Sequence, residues 1–178
     1  WDIQQYASFL RDKVCIFQPE IYNEVEELVN KTSFNIETDI VVHIRQTPCK
    51  LIENPMLLPI EKYIEECEYA LSQLNDDKNR IYVCTDNKAI IGDIKNHFDE
   101  KNIEIVWDDS ESSEPLQTMR WKSGLSKSVA QAETMVALKN IFIMKSAKYL
   151  IGGRMSYFFR IAELLGHPNT CVNIQDTD

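Results

Sequence analysis

Apolar residues along the chain follow two periods that alternate from one segment to the next. Short runs rich in β-branched residues, typical of buried strands, lie at 39–45, 80–85, 103–107, 148–151 and 170–174. Between them, apolar residues recur at helical spacing, which predicts helices at 60–74, 89–98, 129–144 and 155–165 and two leading helices within 1–35. Strands that alternate with helices indicate parallel βαβ units. We therefore expect a single α/β domain over residues 1–178, a Rossmann-like parallel sheet with helices on both faces.

Residues that begin or interrupt secondary structure support these boundaries. Pro19 and Pro59 suit the first turn of a helix, where the missing N–H is not needed. Asp86-Asn87 follows the second strand and favours the start of a helix. Gly152-Gly153 comes directly after the apolar run at 148–151, and we expect this pair to break the fourth strand.

Composition narrows the functions that the chain can have. With 178 residues, 44% hydrophobic and 26% charged, it has the composition of a soluble globular domain. Its net charge of −9 disfavours nucleic-acid binding, because no basic stripe is present to neutralise phosphates. The five cysteines include no C-x-x-C pair, so a metal site is not expected. No signal peptide or membrane-spanning segment is visible in the sequence.

Polar residues lie where three of the predicted strands end. His43 and Arg45 end the first strand, Asp86 follows the second, and Ser156 follows Gly152-Gly153 after the fourth. The carboxyl ends of parallel strands share one edge of the sheet, and ligands of open α/β sheets bind there. Arg45 offers a planar, permanently charged fork suited to phosphate or carboxylate, and a structural salt bridge is the alternative role. This arrangement predicts a crevice for an anionic ligand.

The predicted helix after the two glycines adds a second feature suited to phosphate. Its amino end presents free N–H groups and the positive end of the helix dipole. Ser156 adds a hydroxyl, and Arg160 lies about one turn further on. Gly152-Gly153 permits close approach of a ligand, with a tight turn as the alternative. Neither a G-x-G-x-x-G fingerprint nor a Walker loop is present, and no known nucleophile or metalloprotease motif is evident.

Five ordered motifs extend across nearly the whole chain. They are Gln18-Pro-Glu-Ile, His43-Ile-Arg45-Gln-Thr, Pro59-Ile-Glu-Lys-Tyr63, Ile81-Tyr-Val-Cys-Thr-Asp86, and Ser146-Ala-Lys-Tyr-Leu followed by Ser156 and Arg160. In their order and spacing they resemble the α-1,6-fucosyltransferases, the family of the core-fucosylating enzyme of N-glycans and the rhizobial nodulation fucosyltransferase. The resemblance implies the donor-binding half of a GT-B-like glycosyltransferase. Such an enzyme binds GDP-fucose, transfers the sugar with inversion to a glycan acceptor, and needs no metal or other cofactor.

The resemblance also implies roles for individual residues. Arg45 would hold the β-phosphate and stabilise the departing GDP, His43 would lie beside the guanine, and Ser156 beside the diphosphate. Glu53, or Asn54 next to it, lies near the place of the acidic residue proposed as the base. Further positions of the donor site are matched by Lys50, Tyr63, Asp86, Asn140 and Arg160.

Several features depart from the family pattern. The second of two adjacent arginines is replaced by Gln46, and Pro48-Cys49-Lys50 stands where the family has Asp-Lys. Asn140 takes the place of the carboxylate that reads guanine, and an amide offers one acceptor and one donor instead of two acceptors. The acceptor-binding half is absent from these residues. Two alternatives therefore stay open: a non-catalytic nucleotide- or sugar-binding domain, and another α/β enzyme that acts on a phosphorylated substrate through Arg45.

Overall fold

Five parallel strands form one sheet in the computed structural model, which describes residues 18–36, 39–46, 58–73, 80–108, 126–153, 156–166 and 171–174. The strands are β1 (Asp39–Ile44), β2 (Arg80–Thr85), β3 (Glu104–Val106), β4 (Tyr149–Gly153) and β5 (Cys171–Ile174). Their order across the sheet is β3-β2-β1-β4-β5, so β1 is central, with β2 and β4 as neighbours. Every pairing is parallel, which confirms the predicted α/β architecture.

Helices cover both faces of this sheet. They are α1 (Pro19–Asn30), α2 (Ile60–Gln73), α3 (Ile90–Asp99), α4 (Lys127–Ser146) and α5 (Tyr157–Leu165). Pro19 occupies the first turn of α1, as its missing N–H predicts. The hydroxyls of Ser126 and Ser156 accept hydrogen bonds from backbone N–H groups in the first turns of α4 and α5. The predicted positions of these helices are confirmed, with small differences at their ends.

The hydrophobic core lies in two parts, one on each face, because side chains alternate along a strand. In β1, Ile40, Val42 and Ile44 pack with buried residues of α2 and α3. Val41 faces the other way and packs with buried residues of α4 and α5. His43 follows Val41 by two positions and so shares this second face, which we call the α4–α5 face. Buried on both sides, β1 has the continuous apolar run of a central parallel strand.

Gly152 and Gly153 continue β4, so the prediction that they break the strand was wrong. Both glycines pair with β5, opposite Asn173 and Ile174, and Gly152 also pairs with His43 of β1. Glycine permits a chain reversal without requiring one, and ladder hydrogen bonds to neighbouring strands hold the backbone extended here. The tendency of a glycine pair to end a strand was outweighed here by hydrogen bonds to strands that lie elsewhere in the sequence.

Other predictions have mixed outcomes. Cys84 is buried in β2 and acts as a small apolar residue. No helix in the described part of the chain is long and apolar enough to cross a membrane. The first of the two predicted leading helices precedes residue 18 and lies outside the described residues.

Candidate functional site

Three strand ends meet at the carboxyl edge of the sheet, which we define as the residues that end or directly follow β1, β2 and β4. His43 of β1 pairs with Cys84 of β2 on one side and with Gly152 of β4 on the other. The chain continues from β1 to β2 and β3 on one side, then crosses to β4 on the other. Where connections leave adjacent strands in opposite directions, a crevice opens and ligands of α/β proteins bind. This crevice lies between β1 and β4.

Arg45 is the first residue after β1 and lies at this crevice. Its Nε atom is 3.8 Å from Oδ2 of Asp86, and its Cζ atom is 5.8 Å from the centre of the Phe158 ring. The side chain is 26% exposed. Among the described residues, its guanidinium has no other ion pair or hydrogen bond. No described residue pairs with the N–H donors of its two Nη atoms, which suit an anion, and a carboxylate and a ring limit where the guanidinium lies.

The amino end of α5 lies beside this guanidinium, because Phe158 is in the first turn of that helix. Ser156 is 4% exposed and caps α5: its Oγ accepts from the N–H of Phe159 (3.4 Å) and its carbonyl accepts from the N–H of Arg160 (3.0 Å). The N–H groups of Tyr157 and Phe158 have no acceptor within the described ranges. Free N–H groups at the positive end of a helix dipole form a site suited to an anion.

Hydrogen bonds around Gln46 fix the backbone that follows Arg45. The N–H of Gln46 donates to Oδ1 of Asp86 (3.0 Å), and its carbonyl accepts from Nδ2 of Asn87 (3.0 Å). Its side-chain Nε2 donates to the carbonyl of Leu58 (2.6 Å). Asp86 therefore holds the chain after β1 with one carboxylate oxygen and approaches the Arg45 guanidinium with the other. The side-chain amide of Gln46 is engaged in holding two chain segments together.

Two predicted site residues, one in β1 and one in α4, each have a buried polar atom without a hydrogen-bond partner among the described residues. These atoms are Nδ1 of His43 and Oδ1 of Asn140, a residue of α4. Burial, and after it the charge of Arg45, lowers the pKa of His43 to about 4. The imidazole is therefore neutral at pH 7, with one nitrogen that donates and one that accepts. Buried polar atoms are normally satisfied, so these two are candidates for contact with a polar ligand.

The space that the two glycines of β4 leave is filled by side chains of the protein itself. A Cβ atom on Gly152 would lie 2.2 Å from the Phe159 ring. A Cβ atom on Gly153 would lie 2.9 Å from the hydroxyl oxygen of Tyr63, which is 3% exposed. The glycines therefore let α5 and α2 pack closely against the end of β4. Tyr63, predicted as a donor-site residue, lies in the core next to β4.

The remaining predicted site residues lie further from these groups or outside the described ranges. The side chain of Arg160 is exposed and has no ion pair with a described residue. Glu53, the alternative base Asn54, and Lys50 belong to 47–57, which the structure does not describe. The predicted residues that the fold brings to the carboxyl edge are His43, Arg45, Asp86 and Ser156.

Phe158 contributes to the candidate site through its contact with Arg45, and the sequence pattern did not predict it. Along the chain it is one apolar residue in an amphipathic helix, and nothing in the pattern distinguishes it from the buried Phe159 beside it. The available signal was its place in the first turn of a helix that follows a strand end, because that turn borders the crevice.

Comparison with known proteins supports this fold assignment. No protein-family model matches the chain. The structure of the NodZ alpha-1,6-fucosyltransferase co-crystallised with GDP is similar, with a TM-score of 0.51 and 16% identity over 84% of this chain and 42% of that one. POFUT1 in complex with GDP gives a TM-score of 0.55 and 12% identity over 89% and 47% of the two chains. POFUT1 in complex with GDP-fucose gives a TM-score of 0.58 and 10% identity over 88% of this chain and 46% of that one.

These similarities establish a shared fold at low sequence identity. The chain has the parallel α/β architecture found in part of these fucosyltransferase structures. It spans less than half of the length of each of those proteins.

Proposed function

We propose that this chain is the donor-binding part of a fucosyltransferase-like glycosyltransferase of GT-B-like architecture, and that its donor is GDP-fucose. One observation carries the proposal. At the crevice between β1 and β4, the guanidinium of Arg45 lies 5.8 Å from the ring centre of Phe158, in the first turn of α5, where the N–H groups of Tyr157 and Phe158 have no acceptor among the described residues. Together they form a cationic, donor-rich cradle for a diphosphate. The solved structures with the same fold include proteins bound to GDP and GDP-fucose.

The proposed chemistry is transfer of the sugar to a glycan hydroxyl with inversion, with GDP as the leaving group. Negative charge grows on the diphosphate as the bond to the sugar breaks. Arg45 and the amino end of α5 neutralise that charge, because both are in place before the reaction and need little reorganisation. A carboxylate takes the proton of the attacking hydroxyl, a role that we assign to Glu53. The acceptor-binding surface lies outside these residues, and no metal or other cofactor takes part.

The buried polar pair, His43 and Asn140, is proposed to contact the base. The neutral imidazole and the amide each offer a buried atom that is unpaired among the described residues. An amide accepts from one N–H of guanine, whereas a carboxylate accepts from N1–H and N2–H together. Asn140→Asp is therefore expected to strengthen GDP binding relative to UDP and ADP, measured as the ratio of dissociation constants. A ratio that does not change would remove Asn140 from the base contact.

Calorimetric titration with GDP, GDP-fucose, UDP, ADP and pyrophosphate tests the proposal. GDP and GDP-fucose are expected to bind, and Arg45→Met to weaken both by roughly 10- to 100-fold, the range for a lost charge-assisted hydrogen bond. The control is Lys31→Met, which removes an exposed cation at the end of α1 and is expected to leave binding unchanged. Absence of nucleotide binding by the unaltered protein would disprove the donor role.

A second candidate function is nucleotide binding without transfer. The observation that favours it is the hydrogen bond from Gln46 Nε2 to the Leu58 carbonyl, because this side chain supplies no second cation to the leaving group. Turnover separates the two functions. Release of GDP from GDP-fucose, dependent on a glycan acceptor and lost in Arg45→Met, supports the transferase. Binding of pyrophosphate but of no nucleotide points instead to another enzyme acting on a phosphorylated substrate.

A further inference from the structure

Arg45 must be held in one place if it is to serve a diphosphate. An arginine side chain loses much of its rotamer entropy when it is fixed, so an arginine without contacts is a poor preorganised donor. The carboxylate oxygen of Asp86 lies 3.8 Å from Nε, beyond normal hydrogen-bond distance. The neighbouring side chain of Gln46 is bound to Leu58 and does not contribute. A second contact is needed to define the plane of the guanidinium.

Phe158 supplies this second contact from a rigid support. Its ring centre lies 5.8 Å from Cζ of Arg45, within the range of a cation–π interaction. The ring is partly buried and packs against the buried cluster on the α4–α5 face. Phe159, the next residue, is fully buried against Gly152 and anchors the same turn of α5 to β4. The ring that faces Arg45 is therefore fixed by the packing of its helix.

We propose that Phe158 is a positioning residue that holds the Arg45 guanidinium against the amino end of α5, with Asp86 on its Nε side. This inference rests on the proposed function and adds to it a residue that determines how well Arg45 is preorganised. In this proposal, the Nη donors of Arg45 and the N–H groups of Tyr157 and Phe158 bind the same anion. The Phe158 ring acts through Arg45, whereas the backbone N–H of the same residue belongs to the cradle itself.

Nuclear magnetic resonance tests the contact without any ligand. The Nε–H signal of Arg45, identified by its loss in Arg45→Met, is expected to show a nuclear Overhauser effect to the Phe158 ring protons in the unaltered protein. The chemical shift of this signal is also expected to change in Phe158→Leu, because the ring current is removed. In Phe158→Tyr, which keeps a ring, the Overhauser effect is expected to remain. Absence of the Overhauser effect overturns the proposal and does not depend on whether any variant folds.

Nucleotide affinity tests the consequence of the contact. Phe158→Leu is expected to weaken GDP binding about two- to fivefold, the range that a cation–π contact of about 0.5–1 kcal/mol produces. The matched control is Phe142→Leu, which removes a ring from beneath Lys145 near the end of α4 that precedes β4, and is expected to leave GDP affinity unchanged.

A double-mutant cycle distinguishes positioning from packing. In an Arg45→Met background, Phe158→Leu is expected to cause no further loss of GDP affinity, because its effect acts through the guanidinium. An equal loss in both backgrounds overturns the positioning role. If the unaltered protein binds no GDP, the proposed function fails, while the Overhauser measurement still decides whether Phe158 holds Arg45.

Discussion

Two arginines at opposite ends of the sheet differ in how completely their donors are used. Arg80 begins β2, where its guanidinium lies 3.1 Å from Oδ1 of Asp39 and 2.9 Å from Oε2 of Glu104, and donates to the carbonyl of Ser33 at 2.9 Å. Arg45 follows β1 at the carboxyl edge, with one carboxylate at 3.8 Å and one aromatic ring. Each guanidinium nitrogen of Arg80 lies within 3.1 Å of an oxygen atom, whereas no described residue pairs with the Nη atoms of Arg45.

This difference assigns separate roles to the two ends of the strands: the amino ends contribute to stability, and the carboxyl edge is suited to binding. At the amino ends of β1 and β2, buried Asp39 accepts from Arg80 and also from the N–H of Asn35 (2.7 Å), so both of its oxygens are occupied. At the carboxyl edge, the N–H groups of Tyr157 and Phe158 and the Nδ1 atom of His43 have no partner among the described residues. An edge that satisfies its own polar groups contributes to folding, whereas an edge that leaves them open is suited to a ligand.

The largest expected effect on stability comes from replacing Arg80. Arg80→Met leaves the buried carboxylate of Asp39 without its cation and is expected to lower the free energy of unfolding by about 3 kcal/mol. Arg45→Met removes a longer, more exposed contact and is expected to change it by less than about 1 kcal/mol. Urea unfolding followed by circular dichroism measures both variants. Equal losses would contradict the distinction between the two edges.

The pH dependence of stability tests how deeply the carboxyl edge buries His43. Its pKa is about 4 in the folded protein, against about 6.5 when unfolded, so the unfolded chain binds the extra proton between these values. This contribution to stability is fully present above pH 6.5 and is lost as the pH falls toward 4. We expect a loss of about 2 kcal/mol over that range, after allowance for the partial exposure of the residue.

The control measurement is the pH dependence of stability in His43→Gln. The substitution is expected to remove this component of the pH dependence and leave the remaining slope, which comes from other groups. Parallel stability curves for the two proteins would show that the imidazole is accessible to protons in the folded state.

Substitution of the glycines of β4 tests how closely α5 and α2 pack against the end of this strand. Gly152→Ala places Cβ against the ring of fully buried Phe159 and is expected to cost about 1–3 kcal/mol. Gly153→Ala meets the hydroxyl end of Tyr63 and is expected to cost less. The control is Gly92→Ala in α3, where no atom lies within 4 Å of the new Cβ and a small stabilisation is expected. Thermal unfolding ranks the three, and a smaller loss at Gly152 than at Gly153 would refute the packing argument.

The smallest expected effect concerns Gln46. Gln46→Met removes the hydrogen bond to the Leu58 carbonyl and is expected to lower stability by about 1 kcal/mol, because the backbone bonds to Asp86 and Asn87 remain. If the amide serves only to hold the chain, GDP affinity stays within twofold of the unaltered protein. A large loss of affinity with unchanged stability would place the Gln46 side chain in the binding site.

Much of the fold was predictable because local pattern and global structure agree. The β-branched run at 39–45 could be placed as a buried central strand, since a strand covered on both faces has no polar face. The break expected at Gly152-Gly153 was wrong, because the need for small residues there comes from Phe159 and Tyr63, which are distant in sequence or on another element. Such contacts leave no periodic trace in the chain.

The candidate site was predictable in part for the same reason. Arg45, Asp86 and Ser156 could be assigned to one edge, because the carboxyl ends of parallel strands lie together whatever the order of the strands. Which of them would be adjacent was not predictable, since that depends on β1 lying between β2 and β4. The contact between Arg45 and Phe158 depends further on how α5 packs, which the sequence pattern leaves undefined.

By itself, the sequence determined the alternation of strands and helices, the two-sided burial of β1 and the set of polar residues that follow the strands. These properties depend on residues close together in the chain, where spacing and propensity act. The tertiary structure decided that every guanidinium nitrogen of Arg80 has an oxygen atom within 3.1 Å, whereas the Nη atoms of Arg45 have no partner in the part of the chain that the structure describes. Whether a guanidinium finds partners depends on which strands and helices surround it, and that is set by packing between segments that lie far apart in sequence.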